Sequence, residues 1–207
     1  MKAWKAALLV LLALIIGIAA YGSWLIRRGF SARKEPSALE RVVARTVRNM
    51  AIPRDAREEE NPWAGPPATP EVMADARAHW ADHCATCHAN DGTGMTEIGQ
   101  NLYPKAPDMR LPATQHLTDG ELYYIIRNGV RLTGMPAWGD PQIEQDDESW
   151  QLVLFIRHLP QITPQELEEM KRLNPKTEAD RAEEQEEEEF LKGGETPRNP
   201  AEQQHHH

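Results

Sequence analysis

Three hydrophobic patterns follow one another along the chain. Residues 6–26, AALLVLLALIIGIAAYGSWLI, are apolar without a charge, and about 20 such helical residues cross the hydrocarbon core of a bilayer. Trp4 and Trp24 would then sit at the two interfaces. Residues 37–50, SALERVVARTVRNM, instead gather Leu39, Val42, Val43, Val47 and Met50 on one helical face and Arg41, Arg45 and Arg48 on another. That pattern suits either an interfacial helix on anionic lipid or a short helix packing on a neighbouring domain. The third pattern begins at Thr69-Pro70, an N-cap followed by a proline at the first helical position.

From there the chain reads as a small helical domain. Val72, Ala76, Trp80, Cys84 and Cys87 recur on one face of a first helix. Thr118 and Glu121 form a capping box for a second, whose Leu122, Ile125 and Ile126 precede a stop at Asn128-Gly129. A third spans about 147–159, DESWQLVLFIRHL, acidic at its start and apolar almost all round, as a buried helix should be. The connector between the first two, residues 92–114, is rich in Gly and Pro and is expected to lack regular structure. Loops of that length inside compact domains usually carry function.

The expected organisation is therefore a transmembrane anchor (1–28), a basic amphipathic helix (29–52), a Pro-rich linker (53–69), a folded domain (70–160) and an acidic helical or disordered tail (161–207). With Pro53, Pro62, Pro66 and Pro67, the linker, if extended at about 3.1 Å per residue, would reach roughly 50 Å. In the tail, TPQE at 163–166 reads as a helix start, Pro175 as a stop, and EEQEEEEF as a self-repelling solvated run. The terminal HHH is native sequence or the remains of a tag and enters no argument.

Charge divides the same way. Residues 1–60 carry 11 Lys and Arg against 6 Asp and Glu, while 70–160 and 161–207 each carry 6 against 13, so the segments stand at +5, −7 and −7. Nothing in the acidic remainder resembles a nucleic-acid footprint. The N-terminal segment could also be a cleaved signal, with Lys2 and Lys5 at its start and AYG before Ser23, but its apolar run exceeds the usual 7–15-residue signal core. Arg27, Arg28, Arg33 and Lys34 outnumber Lys2 and Lys5, which by the positive-inside rule favours a cytoplasmic C-terminal part.

Both cysteines lie in DHCATCHAN, residues 82–90. A redox dithiol would be expected beside a βαβ pattern, and the surroundings are helical. A zinc site could draw on His79, His83 and His88, yet no second Cys or Cys/His pair follows at the usual spacing. A disulfide closing so short a loop would add little stability. Cys-x-x-Cys-His specifically signals covalent haem attachment: residues i and i+3 share a helical side, so two thiols reach two vinyl groups along one macrocycle edge. TGMPAWGD, residues 133–140, supplies a second candidate ligand, Met135, held between Gly134 and Pro136. A thioether opposite histidine is a known haem ligation. Met95 and Met109 are weaker candidates.

These motifs, CATCH near the end of an N-terminal helix, a Met in GMP, and an apolar and aromatic C-terminal helix, resemble class I, or mitochondrial-type, cytochrome c over residues 70–160. The whole chain resembles bacterial membrane-anchored monohaem c-type cytochromes. The resemblance implies an all-α fold around one covalently bound haem c. Thioethers would form at Cys84 and Cys87, and iron would be ligated by His88 and Met135. It also implies that Pro104 or Pro107 gives a carbonyl to the histidine, that Ala76 stands where the family has a glycine between crossing helices, and that haem is received on the outer side of the inner membrane. The expected function is then a tethered periplasmic one-electron carrier between respiratory partners, with no catalytic residue. Tyr123, Tyr124, Trp138, Trp150 and Phe155 would supply an apolar shell, Arg110, Arg127 or Arg131 would meet the haem propionates, and the acidic domain would dock on basic redox partners. A haem enzyme or gas sensor with a displaceable Met135, and a fixed subunit of a larger membrane oxidoreductase, are the alternatives.

Overall fold

The structure, a computed structural model, describes residues 2–29, 31–63, 65, 68–176 and 178–191; Pro66, Pro67 and the terminal histidines lie outside them. Every regular element among these residues is helical. Helix α1 (Lys2–Arg27) contains the uncharged run, and α2 (Ala38–Ala51) starts at Ser37, whose hydroxyl and Glu40 form a capping box. A short α3 (Arg54–Glu58) precedes α4 (Pro70–His79), which is capped by the Thr69 hydroxyl.

Helix α4 does not end at His79. It widens into a π-turn over Trp80–Cys84 and resumes as α5 (Ala85–His88), which stops at Ala89 with φ of 62°. Such π-bulges concentrate at functional sites. The 92–114 connector holds two single-turn helices, α6 (Glu97–Asn101) and α7 (Pro112–Gln115). The expectation of irregular backbone there fails because Thr96 caps α6 and Pro112 stands at the start of α7. Helices α8 (Asp119–Asn128) and α9 (Asp147–His158) follow, the first with the Thr118–Glu121 capping box and Gly129 at its end.

One core joins these elements. Ala76, Trp80, Ala81 and Ala85 from the first helical segment meet Leu122, Tyr123 and Ile126 from α8 and Trp150, Leu152, Val153, Phe155 and Ile156 from α9. Helix α4 packs directly on α9 with Ala76 1% exposed, so the alanine is accommodated in the interior. Tyr123 and Trp150 stack at 3.9 Å between centroids.

Two segments differ from their sequence reading. Residues 52–63 form a docked strap. Ile52 and Asn61 are buried, the Asn61 amide donates to the Trp150 carbonyl (3.1 Å), and the Thr118 hydroxyl donates to the Arg57 carbonyl (3.0 Å). Gly120 makes room for it: a Cβ there would stand 1.9 Å from the Ala56 carbonyl oxygen. Proline content limits the helices of this segment but does not stop its other side chains from packing. Gly120→Ala is accordingly expected to cost about 1–3 kcal/mol by overpacking, outweighing alanine's helix preference. A thermal melt followed by circular dichroism would read the loss, and an unchanged midpoint would mean the strap is not held there.

The domain likewise extends beyond Pro160. Helix α10 (Pro164–Lys171), capped by Thr163 and Glu166, buries Met170 completely and packs Ile162 and Leu167 on the core. Arg77 pairs with Glu166 and Glu169, and His158 Nε2 lies 2.9 Å from Glu166. Helix α11 (Glu178–Leu191) includes the acidic run, and its described side chains are exposed, as expected of that run.

Candidate haem site

An apolar crevice lies between α5, α8, α9 and the loop after α8, lined by Trp80, Cys84, His88, Met109, Ile126, Met135, Trp138, Leu152 and Ile156. It brings together three of the four residues singled out from sequence. The fourth, Cys87, is one helical turn from Cys84 and half-buried. Met95 is 71% exposed and outside the crevice, whereas Met109 stays as a second thioether on its wall.

Each side of the site is built from an identifiable local device. On the α5 side, Trp80 packs its ring near His88 (5.8 Å between centroids) and Phe155 (5.5 Å), and its Nε1 donates to the Ala89 carbonyl (3.0 Å). The turn that follows His88 is thereby tied back to the helix. Helix α6 closes on the same motif: the Thr96 hydroxyl donates to the Cys87 carbonyl (3.2 Å), and a Cβ at Gly99 would lie 2.2 Å from that oxygen.

Met135 is placed by the C-terminus of α8. Gly129, at φ 64°, packs against the backbone of Met135 and Pro136, and the Val130 amide donates to the Met135 carbonyl (3.1 Å). Trp138 and Gly139 then donate their amides to the carbonyls of Ile126 and Arg127, satisfying the end of the helix with the loop it presents. Gln115 fixes the opposite wall by donating to the carbonyls of Met109 (2.7 Å) and Ile156 (2.9 Å).

The electrostatics of the crevice suit neutral ligands. Burial pushes the Cys84 thiol up to about 12, with Cys87 adding to the shift, and burial also raises Cys87. A redox dithiol or a zinc thiolate requires the reverse, a depressed thiol pKa. Among the described residues no group of three or more His, Cys, Asp or Glu is placed to hold a metal ion. Burial holds His88 down at about 4, so its imidazole is neutral at pH 7. Its Nδ1 is buried with no hydrogen-bond partner.

That orphan corrects one expectation. Neither Pro104 nor Pro107 supplies a carbonyl to His88; the connector's amides bond across it instead, Ala106 to the Gly99 carbonyl (3.0 Å) and Met109 to the Gly92 carbonyl (2.8 Å). The arginines are redistributed as well. Arg110 is held by Asp108 (2.8 Å), and Arg127 reaches the carbonyls of Asp140, Ile143 and Glu144, leaving exposed Arg131 as the candidate without a competing contact. Of the expected aromatic shell only Trp138 lines the crevice; Tyr123, Trp150 and Phe155 sit in the core behind it. The sequence reading did not single out Leu152 and Ile156 as lining residues, although their spacing of four on α9 would have marked a common face.

A buried, unpartnered imidazole, two thiols disfavoured as thiolates and an apolar wall fit a covalently bound macrocycle better than a hydrated ion. Residues 71–156 match the family described as cytochrome c oxidase, cbb3-type, subunit III. The segment is a class I-like c-type cytochrome domain, and it carries a covalently bound haem with iron at its centre. It is a haem-based electron-transfer domain. The match covers less than half of the 207 residues, so the anchor, strap and tail are read from the structure alone. No curated protein matches the chain.

Proposed function

We propose that the chain is a membrane-anchored periplasmic one-electron carrier in which Cys84 and Cys87 hold the haem as thioethers and His88 and Met135 ligate the iron. The observation that carries this reading is the convergence of Cys84, His88 and Met135, from elements 47 residues apart in sequence, on one apolar crevice. The bound haem supplies reversible one-electron exchange at iron. The protein contributes two neutral ligands and an apolar wall that excludes water, and both act to raise the reduction potential. With His88 and Met135 both bound, no iron position is left for a substrate, which favours transfer over catalysis.

Helix α1 supports the anchor, since Trp4–Arg27 is long and apolar enough to cross a membrane. The periplasmic side rests on the resemblance to c-type cytochromes, which receive haem outside the inner membrane, and runs against the count of flanking positive charges. Protease added to intact spheroplasts is expected to digest the cytochrome domain, and a protected domain would refute that orientation. The −7 carried by residues 70–160 favours redox partners with basic docking surfaces, so electron-transfer rates should fall as salt rises.

A fixed subunit of a larger membrane oxidoreductase is the second reading. It gains from the docked strap, which takes away the long free tether a mobile carrier would use, and from the matched family's own description as an oxidase subunit. Recovery of the detergent-solubilised protein in a stable stoichiometric complex would decide for it.

A further inference from the structure

Helix α2 carries an apolar stripe that none of the other described residues covers. Leu39, Val42, Val43, Val47 and Met50 are between 51% and 78% exposed, and the helix buries none of its residues. Its other side is engaged. Glu40 accepts from the Tyr103 hydroxyl (3.2 Å), Arg48 is half-buried, and Glu35, just before the helix, pairs with Lys105. Glu40, Ala44 and Arg48 are four apart and share one line of the helix, so the stripe is turned away from the cytochrome domain.

The occupant of that stripe follows from where α2 is tied. Ten residues, Arg28–Ser37, separate it from α1, and ten extended residues span at most about 35 Å. A helix leashed so closely to a bilayer-spanning segment stays near the bilayer surface. Arg41 and Arg45 lie on the polar face away from the stripe, Arg41 also donating to the Pro36 carbonyl, and the only acid in the helix, Glu40, already accepts from Tyr103. A strong apolar stripe with a basic polar face and little overall hydrophobicity is the composition of helices that lie in the lipid headgroup layer. A partner protein's apolar surface would not call for a polar face with three arginines, whereas the headgroups of anionic lipid do.

We propose that α2 lies on an anionic bilayer surface with its apolar stripe in the acyl boundary, and that the contacts of its Glu40 with Tyr103 and of the preceding Glu35 with Lys105 hold the cytochrome domain at a fixed tilt to the membrane. This rests on α1 spanning the bilayer. The domain then meets its redox partners by diffusing laterally with a set orientation, and it does not sample directions at the end of a free tether.

The test uses full-length haem-loaded protein in nanodiscs of phosphatidylcholine and phosphatidylglycerol. With Cys84 and Cys87 held as thioethers, Val43→Cys on the stripe and Ala44→Cys on the line of Glu40 and Arg48 each give one site for an environment-sensitive dye. The Val43 label is expected to emit to the blue and to be quenched by nitroxide lipids several-fold more strongly than the Ala44 label. Pure phosphatidylcholine, or Arg41→Gln with Arg45→Gln, should weaken that quenching. A Val43 label in water, in protein that stays in the membrane through alkaline carbonate, overturns the proposal while leaving the anchor intact; extraction by carbonate refutes the anchor instead. Shielding of Val43 in native membranes but not in lipid nanodiscs would assign the stripe to a protein and likewise overturn it. Quenching indifferent to lipid charge and to both arginines would overturn the anionic requirement.

Discussion

Met135→Ala protein, matured with its haem attached, is expected to bind carbon monoxide when reduced and to lose on the order of 0.1–0.3 V of reduction potential, part of the roughly 0.8 V range that axial ligation spans. If Met135 is the ligand, its removal would open one iron position, and water entering there would favour the ferric charge. Wild-type protein should not bind carbon monoxide avidly, because Met135 is held from both sides: Gly129 packs on its backbone and Val130 donates to its carbonyl. Avid binding by the wild type would move the reading to a gas-binding or peroxide-binding haem protein. Met109→Ala is the necessary control, since that thioether also lines the crevice. If the weak long-wavelength band of methionine ligation survived Met135→Ala and vanished in Met109→Ala, the ligand assignment would be wrong.

Trp80→Ala is expected to produce the largest loss of stability, about 3–5 kcal/mol for a buried tryptophan. At roughly 4–8 °C per kcal/mol for a domain of this size, the thermal midpoint should fall by more than about 10 °C. The side chain is 1% exposed, and its ring joins His88 to Phe155. Trp80→Phe separates packing from hydrogen bonding. It keeps most of the ring but leaves the part-buried Ala89 carbonyl without its donor, at about 0.5–1.5 kcal/mol for a lost hydrogen bond. Because Ala89 sits at φ 62° directly after His88, this milder variant should also alter the haem spectrum. A Phe variant with wild-type stability and spectrum would show that the indole hydrogen bond does not position the histidine.

Much of the domain was legible because its signals are local. A capping hydroxyl and the carboxylate three residues on are read from adjacent positions, and Thr118–Glu121, Thr163–Glu166 and Thr69 all cap where their sequence indicated. The CATCH spacing is equally local, because two thiols one turn apart can serve one macrocycle edge whatever the rest of the chain does. The π-turn at Trp80–Cys84 gave no such signal. Trp80, its first residue, packs on Phe155 of α9, a contact between distant segments.

The strap shows the same limit from the other direction. Four prolines and a run of charges make 53–69 read as a linker too proline-rich for a core, whereas Asn61 within it is buried against Trp150. They say nothing of whether it lies against another surface, because that depends on a matching hollow, here opened by Gly120 more than 50 residues later. Helix α10 was likewise visible as a helix and invisible as core, since the burial of Met170 requires the crossing of α4 and α9 beneath it.

The sequence by itself therefore determined the apolar anchor, the helices and their caps, the haem-attachment spacing and the candidate ligands, all properties of residues within a turn or two of one another. Only the tertiary structure decided that Met135 and Met109 share a crevice with His88, that the histidine Nδ1 is left without a proline carbonyl, and that the strap is docked. Each of those depends on which backbone groups of distant segments find one another once the apolar faces of α4, α8 and α9 have closed, and no local pattern encodes that choice.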